Sequence, residues 1–79
     1  MHERKLIEDI VGAAAAAAGD ARPIRLRVRL GALSHLTPSH FVEHLGDTPL
    51  AGVEVEFGPP IPPDDPRAQS VLLESVRVG

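Results

Sequence analysis

Between Pro23 and Leu30 apolar and charged side chains alternate without a break, with Ile24, Leu26, Val28 and Leu30 on one side and Arg25, Arg27 and Arg29 on the other. A period of two over that length marks a β-strand with one face buried. Arginines two residues apart on the same face stand about 7 Å from each other, so carboxylates are expected on a neighbouring strand. Glu54 and Glu56 supply them, because Val53, Val55 and Phe57 form the next alternating run. Gly31 closes the first strand, and residues 32–34 lead into a turn.

The segments around this strand have a helical period. Leu6, Ile7, Ile10, Val11, Ala14, Ala17 and Ala18 form one stripe and predict an amphipathic helix over residues 3–18. Gly19-Asp20 stops it. Gly12 inside it costs about 1 kcal/mol against alanine unless it allows a close backbone approach. Further on, Thr37 reads as an N-cap, Pro38 as the first helical residue and Gly46 as the stop of a two-turn helix. On its wheel Phe41, Val42 and Leu45 share the buried side, and His40, Glu43 and His44 the opposite one. A last strand is expected over residues 71–78, with Leu72, Val76 and Val78 on one face beside Glu74. Residues 58–65 hold four prolines and two aspartates, and Pro66 follows, which predicts a stiff, extended surface connector joining two strands in hairpin fashion.

The order α-β-α-β-β then predicts a single domain over residues 1–79. Its class is α/β (α+β), a small two-layer fold with a three-stranded sheet and two helices on one face. The helical crossover between the first two strands favours parallel pairing if they are neighbours, and the last two strands are antiparallel if adjacent.

Composition narrows the function. Eleven acidic against eight basic residues give a net charge of −3, and the chain has two Phe and no Trp or Tyr, so no nucleic-acid partner is expected. Without cysteine there are neither disulfides nor thiolate metal sites. Glu8 and Asp9 interrupt the N-terminal apolar stretch, which falls short of the ~20 residues that cross a bilayer, so neither a cleaved signal nor a membrane span is expected. The cytoplasm is the default location.

Three short motifs now coincide: Met1-His2-Glu3 at the head of the first helix, Leu30-Gly31-Ala32-Leu33-Ser34 at the end of the first strand, and Thr48-Pro49-Leu50 before the second. Together they resemble the HypA/HybF nickel metallochaperones of hydrogenase and urease maturation, and the ending at residues 72–78 is similar to that family's final strand. The resemblance implies a nickel-binding domain that carries nickel(II) at Met1, His2 and Glu3, catalyses nothing, and serves a hydrogenase-type nickel-enzyme precursor or maturation protein. Two departures stand out. The family inserts a zinc module held by two CxxC pairs between its last two strands, where this chain has the Pro-rich connector 58–70 and no cysteine, so no zinc is expected. The second helix is also about one turn shorter than the family's.

The chemistry of the motif suits nickel. A terminal amine, the next backbone nitrogen and a histidine ring form fused chelate rings, and nickel(II) accepts such nitrogen-rich tetragonal sets. Methionine is expected to remain, because His2 is too large for the usual trimming, and Glu3 adds a backbone nitrogen or a carboxylate. An α-amine of pKa about 7.7–8.0 and an imidazole near 6.5 must both lose protons to bind. A rival reading keeps the fold as a docking or assembly subunit that carries no metal. His40, Glu43 and His44 match the H-x-x-E-H pattern of one zinc peptidase class. That chemistry also needs a third protein ligand and a substrate cleft, and two histidines on a surface helix is the simpler reading.

Overall fold

A computed structural model describes residues 3–79. Its elements are α1 (Glu3–Ala18), β1 (Pro23–Leu30), α2 (Pro38–Leu45), β2 (Glu54–Phe57) and β3 (Val71–Val78). The strands form one sheet in the order β2-β1-β3, with β1 parallel to β2 and antiparallel to β3. The alternating strand is therefore central. The last two strands flank it and do not meet, which corrects the expectation of a hairpin-like connection.

Alternation translates directly into layers. Leu26 and Val28 are fully buried and Leu30 nearly so, and their register partners Val55, Phe57, Val76, Leu73 and Val71 lie along the same face. Both helices cover that face. Ile7, Ile10 and Ala14 of α1 and Phe41 and Leu45 of α2 complete the core, and the Phe41 ring meets Phe57 edge-on at 5.8 Å between centroids. Three residues expected inside are not. Ile24 is 45% exposed and Val42 48% exposed, and Ala17 is exposed as well. Ile24 sits at a register shift near the open end of the sheet. Val42 follows Phe41 by one position, about 100° around a helix too short to bury more than the Phe41–Leu45 edge.

The last strand changes phase partway. Arg27 pairs with Ser75 but Val28 pairs with Leu73, so Glu74 is the extra residue of a β-bulge. Before it Val71 and Leu73 face the core; after it Val76 does. Leu72 pairs with Arg29 and lies on the arginine face, contrary to the expected grouping of Leu72 with Val76.

The helix ends follow local chemistry. Gly19 (φ 61°) terminates α1 in the left-handed conformation that glycine adopts freely. Thr37 caps α2, its hydroxyl accepting from the His40 amide at 3.2 Å. Gly46 ends α2 at the expected place but stays right-handed (φ −60°, ψ −20°). The chain then runs through a second turn in which the Thr48 hydroxyl donates to the Leu45 carbonyl at 2.7 Å.

Residues 58–70 carry the chain from β2 to β3 past the end of β1, and this route explains their packing. The Ile61 amide donates to Leu30 O (2.9 Å), Ala32 N donates to Ile61 O (2.8 Å), Gly31 N to Ser70 O (2.8 Å) and Leu33 N to Ala68 O (2.8 Å). Ile61 is fully buried and Ala68 nearly so. The segment is thus a folded cap rather than the extended surface connector expected from its prolines. Gly31 is the contact point, since a Cβ there would collide with the Ala68 carbonyl and lie 2.7 Å from Ser70 O.

Candidate metal centre

Of the expected nickel ligands, Met1 and His2 lie outside the described residues. Glu3 is the first residue of α1. Its Oε2 lies 3.4 Å from Nε2 of His44, and the two side chains are 37% and 42% exposed respectively. The contact exists because the start of α1 passes the last turn of α2, and His44, three positions beyond Phe41, borders that helix's buried side. His40, one turn earlier, is exposed, with its ring centroid 5.7 Å from that of His44.

Two clefts open beside this contact. One, about 590 Å³, is lined by Glu3, Lys5, Leu33, His35, Gln69 and Ser70 among others. His35 occupies it from a left-handed backbone position (φ 62°), which histidine adopts more readily than bulkier or β-branched residues. The other, about 330 Å³, is lined by Arg4, Ile7, Glu8, His44, Asp47 and Thr48. Among the described residues no group of three or more His, Asp or Glu side chains converges on a common point for a metal ion. The H-x-x-E-H triplet on α2 accordingly gains no third protein ligand among them. Glu3 and His44 are a pair of donors that the fold brings together among the described residues.

The opposite face of the sheet is a different kind of surface. Arg25 pairs with Glu54 at 2.8 Å and Arg27 with Glu56 at 2.7 Å, as the alternating runs lead one to expect. Arg27 also reaches Glu74 at 3.1 Å through the bulge, and Arg29 donates to the Pro59 carbonyl at 2.7 Å. The hydrogen bond from Arg25, reinforced by its charge, holds the Glu54 carboxyl below its usual range and raises the guanidinium's own pKa. Hydrogen bonds from the Arg67 side chain and backbone likewise lower Asp65. With Arg25, Arg27 and Arg29 engaged in this way, the face is a salt-bridged sheet surface.

Two contacts escaped the sequence. Glu74 as a partner of Arg27 depends on a bulge that no residue there advertises. The meeting of Glu3 with His44 depends on how two helices cross, and the residues' separation in the chain carries no signal of it. No helix among the described residues is long and apolar enough to cross a membrane. No family model matches the chain, and neither the curated proteins nor the solved structures include a significant match to it.

Proposed function

We propose that this chain is a zinc-less, HypA-like metallochaperone that binds nickel(II) through Met1, His2 and Glu3 and delivers it to, or assists the maturation of, a nickel enzyme such as a NiFe hydrogenase. It acts in the cytoplasm and catalyses no reaction itself. The observation that carries the reading is the position of Glu3, which heads α1 with its carboxylate turned to an imidazole at 3.4 Å. A nitrogen donor and an oxygen donor therefore meet at Glu3, the third residue of the proposed ligand set. The exposure of both side chains leaves the pair open to solvent, which suits a carrier that must release its cargo.

Titration of the untagged protein with nickel(II), in parallel with a His2→Ala variant, tests the proposal. Micromolar binding that His2→Ala abolishes is expected. No binding, or binding unchanged by the substitution, would end it. The reading requires a free amine on Met1, which the intact mass of the purified protein checks.

A second reading is favoured by the folded cap at residues 58–70. Its backbone hydrogen bonds to Leu30, Gly31, Ala32 and Leu33 close the domain where the family opens into its zinc module. A self-contained domain of this kind suits a docking or assembly subunit. Absence of nickel binding together with stable association with a hydrogenase precursor would favour it.

A further inference from the structure

We propose that this chain pairs with a second copy of itself through the outer edge of β3, which joins two three-stranded sheets into one of six strands. The pairing is independent of nickel.

Among the described residues the strand order β2-β1-β3 leaves β2 and β3 as the edges of the sheet. β2 has four residues, and Pro59 and Pro60 follow it closely, which blunts that edge. β3 runs for eight residues without proline or lysine, and the backbone groups along its outer side are a template for another strand. The register shows which residues present them. In an antiparallel ladder, residues bonded to the neighbouring strand alternate with residues whose N–H and C=O turn away from it. Gly31 N donates to Ser70 O at 2.8 Å, and Gly79 N donates to Arg22 O at 3.2 Å, which sets the bonded phase at both ends of β3. Counted inward from these two, with Glu74 as the extra residue of the bulge, Val71, Leu73, Val76 and Val78 turn their backbone groups outward.

A bulge spoils an edge for a regular strand, but a second copy brings the same extra residue to the same point. Two copies of β3 laid antiparallel match all four outward residues in one register alone, with Leu73 opposite Val76 and Val71 opposite Val78. The same register sets Leu72 opposite Arg77 and Glu74 opposite Ser75, so core-face side chains meet core-face side chains and those of the arginine face meet their like.

The charges agree with that register. Arg77 stands opposite Arg25, whose guanidinium is already paired with Glu54, and it has no ion-pair partner among the described residues. In the paired sheet it lies diagonal to the partner's Glu74, at a backbone separation of about 7–8 Å that long side chains span. Glu74 uses Oε1 for Arg27, which leaves Oε2 for this contact. Val78, 43% exposed, gains the partner's Val71 beside it. α1 packs over β3, and its exposed positions 12, 13 and 15–17 are glycine and alanine, which leaves room for the α1 of the second copy.

The test is sedimentation of the full chain in the absence of metal, from micromolar to millimolar concentration, with thermal melting of each variant to check its fold. Wild type should reach twice the 8.4 kDa mass of the chain. Arg77→Glu replaces two diagonal attractions with two repulsions and should weaken the dimer about tenfold, whereas Arg77→Lys should keep it. The register is tested by a Leu72→Cys, Arg77→Cys double variant, which should oxidise to a covalent dimer because these positions face each other within disulfide reach. Leu72→Cys alone should not. A chain that stays monomeric throughout would overturn the proposal. A dimer indifferent to Arg77→Glu would overturn it too, as would a double variant that fails to cross-link or a Leu72→Cys single variant that cross-links equally well, since each places the contact elsewhere.

Discussion

Two glycines in this chain do opposite things, and substitution separates them. A Cβ built on Gly12 meets nothing within 4 Å, so the residue contributes only the backbone freedom that glycine loses inside a helix. Gly12→Ala is expected to stabilise the domain by about 0.5–1 kcal/mol, read as a higher melting temperature. Gly31 is required by the close passage of residues 58–70 across the end of β1, where the same Cβ would collide with the Ala68 carbonyl and crowd Ser70. Gly31→Ala should therefore lower the melting temperature, because it must push the cap off and break the hydrogen bonds from Gly31 and Leu33. Both outcomes follow from what surrounds the position, and the sequence alone distinguishes neither.

At the scale of elements, β1 could be read from the sequence because its alternation is unbroken and it lies at the centre of the sheet, where one face is dry from Leu26 to Leu30. Val28, fully buried in that strand, makes the consequence measurable. Val28→Asp would bury an unpaired charge and cost several kcal/mol, on the order of half the stability of a small domain; a variant that melted like the parent would contradict the assigned phase. β3 was less legible because Glu74 interrupts its period, so a strict alternation puts Leu72 on the wrong face. The cap was misread for a different reason. Its prolines do exclude it from the sheet, but they say nothing of Ile61, which the crossing over β1 buries. The ion pairs of the sheet and of the cap predict the acid behaviour. Glu54 and Asp65 have lowered pKa values in the fold, so the stability they add is present above the unfolded values of about 4.3 and 3.9 and is lost as pH falls through the folded ones. Melting temperature should be nearly level from pH 7 to 5 and fall below about pH 4, and Arg25→Gln should make that fall shallower.

At the scale of the whole molecule, the order of elements matters because it brings the first turn of α1 to the last turn of α2. The sequence located the N-terminal motif but treated the histidines of α2 as a separate surface feature, since nothing in either segment says that they meet. The fold joins Glu3 to one of them and leaves the other exposed. On the proposed reading, the core and the cap serve to hold that junction beside the chain's beginning. The most direct measurement is the nickel(II) affinity of the protein with a free Met1 amine against the same protein carrying one additional residue ahead of Met1. The added residue leaves Glu3, His44 and the core in place but removes the amine from its chelate ring, so binding should weaken at least about tenfold with melting unchanged. Equal affinity in the two proteins would contradict a nickel site built on the N-terminus.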